Sequence, residues 1–359
     1  MEEKRIQEID KNFASKEVQE KNIVYMDPLE SPFKIYGLPA IEEERTYCRI
    51  PKNPLKKLSQ AVQYSAWNTA GGRVRFMTDS PFVSIKAEIL SGKDMSHMPR
   101  SGISGFDFYV GSKENRTYIA SAIPDYGVTC YEGIAYGHQK GVQEWTIHFP
   151  LYNGVKKLWI GIQEGSVINL APMYSIAKPI VFYGSSITQG GCASRPGNSY
   201  SNILSRWLDA DIYNLGFSGN AKGETEMAEY IAGIDMSLFV MDYDHNAPDV
   251  EFLAQTHEPF FKIIREAKPS LPIVIISKPD FDIGAETNKK RRSVIYKTYE
   301  NAIKAGDSCV YFIDGETLFG KENRDSCTVD GCHPNDLGFM RMAEVIYPVI
   351  KRLFIGRKG

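Results

Sequence analysis

The stretch Ile180-Val181-Phe182-Tyr183-Gly184-Ser185-Ser186-Ile187-Thr188-Gln189-Gly190-Gly191 sets the fold. Four apolar residues in a row suit a strand buried on both faces, as parallel sheets require. The Gly-Ser-Ser that follows suits a turn into a helix. A serine in that turn stands at the rim where open α/β sheets hold their ligands, beside N–H groups that can stabilise an anion. The same residues also suit an ordinary capped turn.

Downstream, four more apolar runs recur: Ile212-Tyr213-Asn214-Leu215, Leu238-Phe239-Val240-Met241, Ile273-Val274-Ile275-Ile276 and Val310-Tyr311-Phe312-Ile313. Amphipathic stretches lie between them. Tyr200, Ile203, Leu204 and Trp207 share one helical face, and Leu337, Met340, Val345 and Ile346 another. This alternation predicts an α/β unit with a five-stranded parallel sheet and right-handed crossovers. Upstream of Pro172 to Pro179 the texture changes. Runs such as Phe82-Val83-Ser84-Ile85-Lys86-Ala87 and Lys157-Leu158-Trp159-Ile160-Gly161-Ile162 alternate and are punctuated by turn residues, which predicts an antiparallel β-sandwich. With 359 residues the chain is long enough for two domains, expected at 1–175 and 176–359.

Composition narrows the function. Lys plus Arg number 42 against 44 Asp plus Glu, a net charge of -2, so no basic surplus drives binding to nucleic acid. No apolar run approaches the ~18–20 residues of a membrane span. The N-terminus is charged up to Lys21, suits a short solvated helix or frayed tail, and lacks the pattern of a secretory signal. A cytoplasmic chain is therefore expected, or a periplasmic or secreted one if a leader has been removed. Six scattered cysteines without Cys-x-x-Cys predict reduced thiols, a Cys327–Cys332 bridge being the alternative in an exported protein. The composition leaves the oligomeric state open.

Three further elements follow strands. Asn214-Leu215-Gly216-Phe217-Ser218-Gly219-Asn220 offers backbone N–H donors of the kind an oxyanion hole uses, and lacks the full glycine pattern of a nucleotide loop. Asp242-Tyr243-Asp244-His245-Asn246 carries an amide that could donate to the same oxyanion or close an Asx-turn. Its carboxylates and histidine lack the spacing of a defined metal site, so neither metal nor cofactor is expected. Asp330-Gly331-Cys332-His333 places a carboxylate where it can fix an imidazole tautomer, leaving the other ring nitrogen free to deprotonate a serine.

Together Ser186, Gly219, Asn246 and His333 resemble the four ordered blocks of the SGNH or GDSL hydrolases, over roughly Lys178 to the C-terminus. Upstream, Gly105-Phe106-Asp107-Phe108-Tyr109 is similar to the Gly-x-Asp-Leu-Tyr signature of β-sandwiches that precede this catalytic domain in some carbohydrate esterases. The resemblance implies a flavodoxin-like three-layer α/β/α domain behind a jelly-roll-like sandwich. It makes Ser186 the nucleophile, His333 the base and Asp330 its orienting partner. Ser186 N–H, Gly219 N–H and the Asn246 amide become the oxyanion hole. Ser185 departs from the pattern, standing where the family name has Asp, and the Asn246 block lacks its usual Gly-x-Asn-Asp form.

For the substrate, the absence of an apolar lid pattern favours a small acyl group such as acetyl, and the sandwich favours a carbohydrate by analogy. Expected partners are a small-molecule or oligosaccharide ester. A short-chain acyl or lysophospholipid esterase, or a non-catalytic glycan-binding protein, are the alternatives. Trp67, His97 and Met98, with Tyr64 and Asn68, are candidate glycan contacts that equally suit structural roles. Arg195 is a candidate for an anionic substrate group, or simply holds its loop.

Overall fold

In the computed structural model, which describes residues 6–10, 18–138, 140–280 and 282–355, the N-terminal part is built from alternating strands. Residues 1–5 and 11–17, where most of the expected N-terminal tail falls, lie outside the described residues. In Phe82–Ile89, Val83, Ile85, Ala87 and Ile89 are buried while Lys86 and Glu88 turn outward. This strand lies between Val155–Gln163 and Cys130–Tyr136, and Ile23–Met26 completes a four-stranded antiparallel sheet. A second antiparallel sheet runs Ile168–Asn169, Arg73–Thr78, Gln143–His148, Phe106–Val110 and Thr117–Ala122, with Lys34–Tyr36 paired to Arg73–Thr78. Val74, Phe76, Phe108, Trp145 and Ile147 of one sheet share a core with Ile85 and Ile160 of the other, giving the expected sandwich.

The parallel sheet comprises β1 Ile176–Gly184, β2 Ala210–Gly216, β3 Leu238–Asp242, β4 Ile273–Ile276 and β5 Val310–Ile313. Their order is β2-β1-β3-β4-β5, that of flavodoxin-like folds, whose ligands bind beyond the carboxyl ends of the strands. The helices are α1 Ser186–Gln189, α2 Tyr200–Leu208, α3 Thr225–Gly233, α4 Val250–Ala267, α5 Ala285–Lys304 and α6 Asp336–Ile355. Alternate residues of the strands serve two cores. Val181, Tyr183 and Met241 pack with Met227, Phe260 and Ile295 of α3–α5. Ile180, Phe182 and Val240 pack with Ile203, Leu204, Phe339 and Ile346 of α2 and α6.

One helical face differs from expectation. In α6 the buried residues are Gly338, Phe339, Met342, Ala343, Ile346 and Ile350, whereas Leu337 and Met340 are 42% and 40% exposed. A 3.6-residue period carried back from Ile346 passes through Met342 and Phe339, and Leu337 falls off that stripe. No described helix is long and apolar enough to cross a membrane.

Several contacts tie the sandwich to the parallel sheet, among them Arg73 to Asp211 at 2.6 Å and Arg116 to Asp209 at 2.8 Å. β2 lies at the sheet edge, and the Arg49 guanidinium covers it by donating to Asn214 O (2.9 Å) and Gly216 O (2.6 Å). Asp107, in the Gly-x-Asp-x-Tyr motif, accepts from Gly197 N–H at 2.7 Å, Arg195 at 3.1 Å and the His148 ring at 2.9 Å.

Candidate active site

β1 ends at Gly184, and Ser185 caps α1 by accepting from Ile187 N–H at 3.2 Å, so Ser186 is the first residue of a helix at the carboxyl edge of the sheet. After β5 the chain returns to that edge in the segment bridged by Thr328 and Pro334. Asp330 closes an Asx-turn there, accepting from His333 N–H (2.7 Å) and Cys332 N–H (3.0 Å). Its second oxygen lies 2.8 Å from His333 Nδ1, and His333 Nε2 lies 2.9 Å from Ser186 Oγ. Burial alone would raise the Asp330 pKa. The two backbone N–H groups and the imidazole outweigh it and bring the carboxyl down to about 2. An ionised acceptor at Nδ1 keeps that nitrogen protonated and leaves the Nε2 lone pair facing the serine. Such a relay can take the proton from a hydroxyl that attacks an acyl carbon.

The loops after β2 and β3 flank Ser186. Phe217 N–H donates to Gly184 O at 2.8 Å, and Ser218 N–H to Gln189 Oε1 at 3.0 Å. Gly219 has a φ of +71°, and neither its N–H nor that of Ser186 bonds to another group among the described residues. The Asn246 amide is oriented by Ala221, whose N–H donates to Asn246 Oδ1 at 3.1 Å. A backbone N–H can only donate, so the oxygen end of the amide is committed and the NH2 end remains to donate.

Buried charge holds the Asn246 loop in place. Asp244 pairs with Arg291 Nε at 2.6 Å and accepts from Lys278 N–H at 3.1 Å. His245 Nε2 lies 2.5 Å from Asp280. Burial disfavours the imidazolium, but Asp280 and Cys332 outweigh it and raise the His245 pKa to about 10. Asp242 accepts from Thr188 Oγ1 (2.7 Å) and Tyr200 OH (2.8 Å) and is raised to about 6 by burial.

Comparison with known proteins identifies the family. Residues 177–351 match the GDSL-like lipase/acylhydrolase family, and residues 23–168 match the N-terminus of the SGNH-hydrolase type of esterase. The chain belongs to the SGNH/GDSL esterase family. Among solved structures it is similar to a protein of Bacteroides ovatus described as a GDSL-like lipase, 29% identical, covering 93% of this chain and 98% of that one with a TM-score of 0.84. A salicylyl-acyltransferase from a tetracycline biosynthetic pathway shares the fold at 19% identity, covering 94% and 99%, TM-score 0.76. So does a family two carbohydrate esterase of Cellvibrio japonicus at 13% identity, covering 93% and 98%, TM-score 0.59. Among curated proteins none matches the chain in sequence.

Within this SGNH-type esterase, the sequence-predicted residues part company. Ser186, His333 and Asp330 come into one relay, and the loops of Gly219 and Asn246 border it. Ser185, which replaces the family's Asp, acts as a helix cap. His97 reaches the relay, its ring centroid 5.7 Å from that of His333. Met98 does not present itself to a ligand: it is 4% exposed and belongs to the core of β1 and α2. Of the two readings of Arg195, the loop-holding one fits the structure. Its guanidinium is taken by Asp107 and the Tyr109 hydroxyl and stacks on Tyr118 at 3.9 Å, so it holds its loop against the sandwich. Trp67 and Tyr64 are 41% and 79% exposed, Asn68 is half-buried, and none forms a hydrogen bond or ring contact with the relay among the described residues.

Sequence reasoning missed three neighbours of the relay. Tyr152, from the sandwich side, donates to Ser186 O at 3.2 Å, and burial keeps its phenol protonated. Gly191 gives this phenol room, since a Cβ there would come 2.7 Å from the Tyr152 oxygen and 3.4 Å from His333 Cδ2. Cys192, 4% exposed, sits at φ +74°. Burial, reinforced by Asp330 and Cys332, raises its thiol to about 12. All six cysteines are unbridged, Cys327 and Cys332 included. Among the described residues, two side-chain groups have potential ligand atoms within 4.8 Å of one another: His97, Cys192 and His333, and His245, Asp280 and Cys332. Each is assembled from separate segments, which sequence spacing could not reveal.

Proposed function

We propose that this esterase hydrolyses O-acetyl esters on a carbohydrate through an acyl-enzyme formed on Ser186. The single observation that carries the chemistry is the relay itself, Ser186 Oγ to His333 Nε2 at 2.9 Å and His333 Nδ1 to Asp330 at 2.8 Å. Ser186 Oγ attacks the acyl carbon while His333 Nε2 takes its proton. The N–H groups of Ser186 and Gly219 and the Asn246 NH2 receive the oxyanion. His333 returns the proton to the departing sugar hydroxyl, and water then repeats the sequence to release acetate and free Ser186.

The carbohydrate part is supported by fold likeness to family two carbohydrate esterases, one of which, from Clostridium thermocellum, was solved with cellohexaose at 16% identity and a TM-score of 0.57. The test is acetate release from a panel of acetylated oligosaccharides, run beside acetyl and octanoyl esters of one chromogenic alcohol. The expected result is acetate from at least one glycan and a preference for the acetyl ester. Preference for octanoyl, with no acetate released from any glycan, would replace this substrate by a lipid-like one.

A further inference from the structure

We infer that His97, Cys192 and His333 form a site for a borderline-soft divalent cation such as Zn2+, and that the cation switches the esterase off by occupying its catalytic base. The inhibitory half rests on the relay proposed above; the binding half does not.

The donor set is one thiol and two imidazoles, the combination that selects zinc over magnesium or calcium. Their potential ligand atoms lie within 4.8 Å of one another. Tetrahedral zinc, with Zn–N about 2.0–2.1 Å and Zn–S about 2.3 Å, brings such atoms to roughly 3.3–3.8 Å apart. Closure therefore needs shifts of at most about 1–1.5 Å, for which the exposed His97 has freedom.

The surroundings orient the ligating groups. Asp330 already holds His333 Nδ1 at 2.8 Å, which is the carboxylate–histidine arrangement found behind metal-bound imidazoles. Cys192 is a non-glycine residue held at φ +74°, a region that L residues enter at a cost and that clusters at functional positions. Its burial beside His333 fixes the sulfur in the site. On binding, the thiol loses its proton to solvent as the S–Zn bond forms. The second group, His245, Asp280 and Cys332, lacks these merits. Asp280 there already carries two cationic partners, His245 at 2.5 Å and Lys278 at 3.1 Å, which repel a divalent ion.

Because Asp330 occupies Nδ1, the nitrogen left for a cation is Nε2, the one that faces Ser186. A bound ion removes the lone pair that deprotonates the serine. Zinc should therefore inhibit reversibly, with activity restored by a chelator.

The test uses the full chain with Co2+ as a spectroscopic probe and Zn2+ as the inhibitor. Expected are one Co2+ per chain with a thiolate-to-metal charge-transfer band, displaced by Zn2+, and loss of ester hydrolysis in step with zinc occupancy. Cys192→Ser should abolish the band and weaken zinc binding and inhibition at least ~100-fold, beyond the 10–100-fold typical of losing an outer partner. His97→Ala, at an exposed position that leaves the fold intact, should weaken zinc binding similarly, and Cys332→Ser should leave the band unchanged. Absence of a thiolate band in the folded wild type, or equal zinc affinity in wild type and Cys192→Ser, overturns the site. A chain that binds Co2+ through Cys192 yet hydrolyses no ester keeps the site and rejects the esterase reading instead.

Discussion

At the scale of the residue, the amide of Asn246 is directed by a single donor. Ala221 N–H takes its oxygen, so in the proposed mechanism it donates to the oxyanion through its NH2 end. Loss of one oxyanion donor typically costs ~100–1000-fold in rate, so Asn246→Ala should lower kcat by about that factor while the thermal unfolding profile stays near that of the wild type. In the same proposed mechanism Asp330 acts through the tautomer of His333. Asp330→Asn should lower kcat by about 10,000-fold, as in other serine triads that lose the carboxylate. Because the Asp330 carboxyl is held down at about 2, it adds no titration to the kcat profile above about pH 3. The residues of the relay were legible in sequence because each ends a motif after a strand. Tyr152 and Cys192 were not, since their roles arise only when the sandwich and the His333 loop fold onto the serine turn.

At the scale of the element, the loop after β3 is held by two buried ion pairs. Arg291→Ala would leave the fully buried Asp244 carboxylate without its cation, and should cost about 3–5 kcal/mol in a urea unfolding experiment. The His245–Asp280 pair gives a pH dependence of definite sign. His245 is raised in the folded chain from 6.5 to about 10. Its stabilising contribution is therefore full below about pH 6.5 and lost as pH rises through about 10. Unfolding free energy should fall between those limits in the wild type, and His245→Ala should lack that fall. The five parallel strands were readable because continuous apolar runs admit little else between helices. The face of α6 was read wrongly because Leu337 and Met340 are apolar yet exposed, and hydrophobicity alone does not say which stripe meets the sheet.

At the scale of the whole molecule, the sandwich is joined to the catalytic edge by Asp107, Tyr109 and Tyr152. The Gly-x-Asp-x-Tyr motif was visible in sequence, but its work was not: Asp107 accepts from Gly197, Arg195 and His148 at once. Burial lowers the His148 pKa to about 4, so its ring is neutral and donates to the carboxylate. Asp107→Ala should cost about 3–5 kcal/mol by leaving Arg195 without its buried partner, and lower kcat by loosening the 194–198 loop; thermal unfolding and steady-state kinetics on one preparation read both. Unchanged stability in that variant would show that Asp107 carries no part of the junction. The central claim, that Ser186 is the nucleophile of an esterase, is tested most directly by intact mass after treatment with a fluorophosphonate. The expected result is one adduct per chain, mapped to Ser186, with loss of ester hydrolysis in proportion, and no adduct on Ser186→Ala. A folded wild type that takes no label, or a Ser186→Ala variant that hydrolyses the acetyl ester at the wild-type rate, would contradict it.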